Sequence, residues 1–307
     1  MNTSAKLSKR IIFWGTPDFA VPSLKVLHQM DLLVAVVTQP DKPAGRGKKL
    51  VSSPVKNFCL ENNIDILEPV QLDQAFIDDL KKYLPATYVV VAYGKIIAQE
   101  VLDLSELIPI NIHPSMLPEL RGPSPIQTAL LRGFDTTGVS LMQLDKKMDH
   151  GPILGQIEAK IEPDENYLQL SERLSEVGAQ ILQEKIKDYL SGKINPLPQD
   201  DDRATFCKLI AKADGKIDWS KPAQEINNMI RAYNPWPSAY AKLGDIDIKF
   251  FEAKVVDKDI EAGQTLVENN NLYIGTGDKS LEILQLQPAG KGKMKTADFV
   301  RGYQKYL

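Results

Sequence analysis

Over its first two hundred residues this chain alternates short apolar runs with segments of helical period, and that rhythm restricts the fold more than any other feature. Residues 10–14, 33–38, 64–67, 87–92 and 108–112 read as strands. Between them, residues 21–30, a segment opened by Ser53-Pro54, and residues 73–83 and 98–104 read as helices. The Ser-Pro pair supplies a side-chain cap and a proline at the first helical position, where a missing N–H is tolerated. Strands that are apolar throughout must be covered on both faces. With helices between them, the expected α/β fold is a Rossmann-like, mostly parallel sheet with helices on both faces. Ligands in such sheets bind beyond the carboxyl ends of the strands.

A helix at 125–132 is followed by two more strand-like runs, 138–144 and 153–161, around a turn that carries Asp149. A long amphipathic segment, 165–190, stops at Ser191-Gly192, with Pro196 and Pro198 beyond; glycine at a helix end and proline past it are stop signals. After the polar run 199–203 the rhythm changes. One helix, 223–232, precedes short strands at 238–243, 246–251, 271–275 and 280–286. That content suits a C-terminal small β-barrel (OB-like) domain, with a sandwich as the alternative. A chain of 307 residues is long for one core, so the expected division is 1–198, a linker at 199–210, and 211–307.

No apolar run approaches the roughly 20 residues needed to span a bilayer, so no membrane partner is expected. The polar, basic start runs directly into strand-like Ile11-Ile12-Phe13-Trp14, which leaves no room for a signal sequence. Cys59 and Cys207 are far apart and without partners at metal spacing; a reducing cytoplasm and the absence of structural zinc are the expectations. Net charge is −3 overall, yet residues 203–307 carry 16 Lys+Arg against 13 Asp+Glu, a net of +3. A second basic footprint packs into Lys42, Arg46, Lys48 and Lys49.

The chemistry concentrates in Asn111-Ile112-His113-Pro114-Ser115-Met116-Leu117-Pro118, in Arg121-Gly122 and in Met148-Asp149-His150-Gly151. An amide and an imidazole two residues apart on a strand project to the same side. An isolated Asn-x-His more often caps a strand end; the prolines, Arg121-Gly122 and the later Asp-x-Gly turn the reading toward a site. Asn111, His113 and Asp149 offer a hydrogen-bond donor, a proton carrier and an orienting carboxylate, with no nucleophile and no metal cluster. This equipment suits direct transfer of an acyl group to an amine, whose tetrahedral intermediate needs preplaced donors for its oxyanion. The Asn111 amide and the His113 ring N–H are the expected donors, with Asp149 orienting His113 and helping to remove the amine proton. His28 reads as helix surface, and His150, beside the site, makes no metal cluster with one aspartate.

Other segments keep two readings. Gly15-Thr16-Pro17-Asp18 follows the first strand but lacks the further glycines of a dinucleotide site, so a structural turn is expected. The apolar run Val89-Val90-Val91-Ala92-Tyr93-Gly94-Lys95-Ile96-Ile97 is either core or the backbone wall of a flat heterocycle's pocket. The stretch Gln39 through Lys49, with two prolines, two glycines and four cations, is either a solvated loop or an element that presents cations to a phosphate backbone. Lys208, Lys212, Lys216, Lys291, Lys293 and Lys295 extend that track if it exists. For Arg231-Ala232-Tyr233-Asn234-Pro235-Trp236-Pro237, burial at a domain junction is favoured over base stacking by Trp236.

Taken together, these motifs resemble the methionyl-tRNA formyltransferases, within the wider folate-dependent formyltransferase family. The likeness runs through Ile12-Phe13-Trp14-Gly15-Thr16-Pro17-Asp18-Phe19, the basic loop, Ser53-Pro54-Val55-Lys56, the Asn111 run, Asp145 with Asp149 and Gly151, Ile217-Asp218-Trp219, Arg231 onward, and Leu286-Gln287-Pro288-Ala289-Gly290-Lys291. It implies a catalytic domain over 1–198 that uses 10-formyltetrahydrofolate as formyl donor, without a metal, and a tRNA-binding barrel over 211–307. It implies catalytic roles for Asn111, His113 and Asp149. Ser115, Leu117 and Pro118 line the formyl and folate pocket, and Tyr93, Ile96 and Ile97 hold the pterin side. Contact with initiator methionyl-tRNA falls to Lys42, Arg46, Lys48 and Lys49, with Lys208, Lys212, Lys291 and Lys293. A cytoplasmic monomer is expected. The chain departs from the family pattern at His150, where a small polar residue is usual, and at Pro123-Ser124, where two alanines are. The competing readings are a formyltransferase for a small-molecule amine and a non-catalytic RNA-binding protein on the same scaffold.

Overall fold

The computed structural model describes residues 8–44 and 49–303, which fall into two compact units. One comprises the described residues up to Gly122, Thr137–Lys160 and Ser171–Phe206; the other comprises Pro123–Thr136, Ile161–Leu170 and the described residues from Cys207 onward. In chain order the first elements are β1 (Ile11–Gly15), α1 (Val21–Gln29), β2 (Leu33–Val37), β3 (Lys42–Ala44), β4 (Lys49–Val51), α2 (Pro54–Glu61), β5 (Ile66–Leu67), α3 (Gln74–Leu80), β6 (Thr87–Val91), α4 (Gln99–Leu102), β7 (Ile110–His113), α5 (Pro125–Leu131), β8 (Thr136–Gln143), β9 (Ile153–Lys160) and α6 (Tyr167–Leu190).

Seven strands form one sheet in the order β5-β2-β1-β6-β7-β8-β9. Pairing is parallel from β5 through β7 and turns antiparallel at β8. Every residue of β1 and β6 is buried, as the uninterrupted apolar runs require. On one face Ile12, Trp14, Tyr88 and Val90 pack with Phe76, Leu80 and Val101. On the other side α6 covers β7 to β9. Gly178 lets it approach so closely that an added Cβ would meet Ile112 at 2.9 Å. Tyr189 fastens this cover, its hydroxyl donating to the Ile108 carbonyl at 2.6 Å and accepting from Gln143 Nε2 at 3.1 Å.

The helix start predicted at Ser53-Pro54 is present: Ser53 Oγ accepts the Lys56 N–H at 3.1 Å. A feature that sequence pattern does not announce is the antiparallel pairing of β3 with β4 inside the proline-rich basic stretch. An isolated two-stranded ribbon has two edges, so Pro43 sits in it without breaking a sheet.

The second unit contains α7 (Ala223–Ala232), β10 (Ala239–Leu243), β11 (Ile246–Val256), β12 (Thr265–Glu268), β13 (Asn271–Gly275), β14 (Ser280–Pro288), β15 (Met294–Lys295) and α8 (Thr296–Tyr303). Its antiparallel sheet runs β10-β11-β14-β13-β12, with β15 added beside β14. Register shifts between Phe250 and Ala253 interrupt the β11–β14 ladder, and such bulges increase local twist. Ile226 and Ile230 of α7, Phe299 and Val300 of α8, and Phe250, Ile274, Leu281 and Ile283 of the strands share one core. Trp219 packs edge-on against Phe250 at 5.5 Å.

Candidate active site

Strand β7 ends the parallel part of the sheet, and the predicted alternation operates along it. Ile112 faces Gly178 of α6, so Asn111 and His113 project to the opposite face. Asn111 is half-buried between Val90 of β6 and Met142 of β8, and His113 lies opposite Ser140. The His113 side chain is 5% exposed. Its Nε2 lies 3.0 Å from the Leu120 carbonyl oxygen. A carbonyl only accepts, so Nε2 carries the hydrogen. The ring N–H expected to face an oxyanion is thus already engaged by Leu120, and the free edge of the ring is Nδ1.

That edge faces Asp149, with Nδ1 3.6 Å from Oδ1. The other carboxylate oxygen, Oδ2, accepts the Gly122 N–H at 2.8 Å. Asp149 takes φ +51° and Leu120 φ +57°; an aspartate is among the side chains that tolerate this region, whereas a leucine holds it only when its surroundings impose it. At Gly151 a side chain is sterically impossible without movement, because an added Cβ would lie 2.0 Å from the Gln143 carbonyl oxygen. Gln199 supports the same loop, donating from Nε2 to the carbonyls of Asp149 (3.0 Å) and Gly151 (2.8 Å). A base and its carboxylate therefore meet at one strand end, with the amide of Asn111 on the same strand face, an arrangement that can shuttle a proton beside a polarised carbonyl.

The proline turn after β7 is built from inside. Ser115 is fully buried and its Oγ donates to the Glu119 carbonyl at 2.5 Å. Ser140 Oγ donates to the Ser115 carbonyl (2.6 Å) and accepts the Leu117 N–H (3.0 Å). Gln156 Nε2 donates to the Leu117 carbonyl at 2.8 Å. Ser115 and Leu117 thus shape the turn from within, and Pro118 is half-buried at its rim. The Tyr93 ring lies in the core, edge-on to Trp14 at 5.2 Å, and burial pushes its phenol up to about 12. Only the Tyr93 backbone reaches the strand end, its carbonyl accepting from Gln39 Nε2 (2.7 Å) and Thr16 Oγ1 (3.0 Å). Ile96 is 91% exposed, whereas Ile97 packs against the core.

With this geometry in hand, kinship is decisive. The formyl transferase family profile matches residues 9–186, and that of the formyl transferase C-terminal domain matches residues 209–304. A methionyl-tRNA formyltransferase of Sulfurihydrogenibium sp. is 40% identical over 96% of this chain and 97% of its own length. One from Roseiflexus castenholzii is 43% identical over 96% of both. The chain belongs to the methionyl-tRNA formyltransferase family. Among solved structures, WlaRD, a sugar 3N-formyl transferase, shares the fold of this formyltransferase with a TM-score of 0.69 at 22% identity, covering 92% of this chain and 98% of that one.

In this formyltransferase the basic positions have different surroundings. Arg46 and Lys48 lie outside the described residues, as does the side chain of Lys49. Lys42 is exposed on β3 and donates to Gln39 Oε1. Lys208 pairs with Asp214 at 3.0 Å, and Lys212 and Lys291 are exposed. Lys293 lies over the Phe251 ring, 3.7 Å from its centroid; burial, then Lys249, lowers its ammonium below the usual range. Among the described residues no group of three or more His, Cys, Asp or Glu is placed to hold a metal ion. No helix among them is long and apolar enough to cross a membrane. The residues that sequence reasoning missed are Gln199, Gln39, Ser140 and Gln156, all polar side chains that brace backbone. Ser140, a serine set among the apolar residues of β8 and fully buried there, was the one visible hint.

Proposed function

We propose that the chain transfers the formyl group of 10-formyltetrahydrofolate to the α-amino group of methionyl initiator tRNA, yielding N-formylmethionyl-tRNA for translation initiation. The observation that carries this reading is the pairing of His113 with Asp149 at the end of β7, with Leu120 and Gly122 aligning the ring and the carboxylate and Asn111 two residues earlier on the same face of the strand. Relatives named methionyl-tRNA formyltransferase, aligned along 96% of the chain, support the acceptor. A sugar formyl transferase of the same fold, solved in the presence of 5-N-formyl-THF, supports a folate donor.

In this mechanism the amine nitrogen attacks the formyl carbon and the carbonyl electron pair moves onto oxygen. Asn111 donates its amide hydrogen to that oxyanion. As the bond from carbon to the folate nitrogen breaks, that nitrogen takes up a proton and the amine gives one up. His113 carries the proton through Nδ1, and Asp149 balances the charge the ring gains in transit. Ser115, Leu117 and Pro118 form the wall at the formyl end, and the backbone from Tyr93 to Ile97 holds the pterin. Residues 1–198 perform the chemistry, 199–210 link, and 211–307 grip tRNA through Lys208, Lys212, Lys291 and Lys293. Lys42, Arg46, Lys48 and Lys49 reach the acceptor stem. The protein works as a cytoplasmic monomer.

Replacing Asn111 or His113 by Ala lowers turnover by roughly 10²-fold or more while leaving tRNA affinity nearly unchanged. Near-normal turnover in both variants overturns these roles.

A further inference from the structure

The loop that carries Asp149 is tied down by a continuous set of side chains, and His150 occupies its least expected link. Arg121 donates from Nε and Nη2 to Gln199 Oε1 (3.0 and 2.8 Å) and from Nη2 to Asp201 Oδ1 (2.8 Å). The second oxygen of Asp201 lies 3.3 Å from His150 Nε2, while His150 Nδ1 lies 2.5 Å from Asp145 Oδ2. Asp145 also accepts the Lys147 N–H at 2.9 Å. One imidazole thus connects the start of the loop that carries Asp149 to the turn at Asp201.

Donor accounting gives this bridge a charge state. Carboxylates in their ionised form only accept, and a neutral imidazole has a single N–H. One contact would then set a nitrogen lone pair against a carboxylate oxygen, whereas the imidazolium satisfies both. The Arg121 guanidinium, followed by His150, holds the Asp201 carboxyl below the usual carboxylate range, so that partner is an anion. The other charged groups nearby are Lys146 and Lys147 on the same loop, Asp200, Asp202 and Arg203 around the 201–203 turn, and the His113–Asp149 pair.

We propose that His150 is a positioning residue for formyl transfer: as a cation it straps the 145–151 loop to Asp201 and so holds the Asp149 carboxylate against His113. The proposal rests on the reading of Asp149 as a catalytic group.

The test is the pH profile of kcat and KM for methionyl-tRNA in wild type, His150→Gln, Asp201→Asn and Asp149→Ala. Glutamine keeps one donor and no charge. The expected result is a kcat about tenfold below wild type in His150→Gln, the loss of one charge-assisted hydrogen bond, with KM unchanged. Because the strap is the protonated imidazole, the deficit should be largest at acid pH and close as pH rises. Asp201→Asn should show the same closing. A deficit constant with pH, or no deficit, overturns the strap. If Asp149→Ala is inactive while His150→Gln is normal, the strap alone falls; if Asp149→Ala is active, the catalytic reading falls and takes the strap with it. Nitrogen-15 spectra of the wild-type imidazoles give a check that needs no variant. With three histidines in the chain the signals are assignable. Protonation of both His150 nitrogens at slightly acid pH supports the strap, and a single tautomer there overturns it.

Discussion

Replacing Asp149 by asparagine separates the charge of the site from its shape, and alanine at the same position removes both. Asparagine keeps an oxygen to accept the Gly122 N–H, which Asp149 takes at 2.8 Å, and it is among the residues that tolerate φ +51°. The loss is that of a charge-assisted relative to a neutral hydrogen bond, about 1 kcal/mol. Alanine leaves the buried Gly122 N–H without that acceptor, costing about 1–3 kcal/mol. It also forces a side chain without local polar compensation into the left-handed region, for a further 1 kcal/mol or so. Asp149→Ala should therefore be destabilised by about 2–4 kcal/mol in urea unfolding and Asp149→Asn by about 1. Both should lose roughly 10²-fold or more in turnover, because neither supplies a carboxylate to His113 Nδ1. The assay pairs urea unfolding with single-turnover formylation of methionyl-tRNA. Turnover of Asp149→Asn within about threefold of wild type, well short of the 10² expected of a proton-transfer partner, refutes the role of charge. Equal stability of the two variants refutes the backbone reasoning.

Further outcomes follow from single contacts. Gly151→Ala places a Cβ 2.0 Å from the Gln143 carbonyl oxygen, so the Asp149 loop must shift and kcat should fall about 10²-fold with tRNA binding retained; wild-type kcat contradicts this. Cys59 is buried, and burial pushes its thiol up to about 12, so it should react with a thiol reagent at mildly alkaline pH only as the protein unfolds. Since the unfolded thiol ionises near pH 8.5 and the folded one does not, its contribution to stability is full below roughly 8.5 and is lost as pH rises toward about 12; urea titrations of wild type and Cys59→Ala should converge over that window. Arg46→Ala should weaken use of tRNA and flatten the dependence of KM on salt, whereas an equal loss with a small amine acceptor contradicts a tRNA role.

Most of the sheet was legible because strands buried on both faces leave little choice of residue: 10–14 against Ile11–Gly15, and 87–92 against Thr87–Val91. The Asn111-x-His113 pair was legible for the related reason that strand periodicity alone puts both on one face. What escaped was decided at long range. The β3–β4 ribbon holds through backbone pairing that prolines and lysines do not advertise. β12 is a short edge strand whose residues are half-buried or exposed, so it carries no apolar signature. Of the stretch 231–237, expected to be buried, Ala232, Tyr233 and Asn234 are taken inside while Trp236 is 55% exposed. The site's supports, Gln199 to the Asp149 loop and Leu120 to His113, join positions 50 and 7 residues apart through main-chain carbonyls. A carbonyl acceptor leaves no mark on its own side chain, which is why these contacts cannot be read from residue types.

The most direct test of the central claim is transfer of labelled formyl from 10-formyltetrahydrofolate, offered initiator methionyl-tRNA, elongator methionyl-tRNA and free methionine in parallel. Label on the initiator methionyl-tRNA alone is the predicted result. Folate binding without transfer to any of the three would contradict it and point to a small-molecule amine as the acceptor.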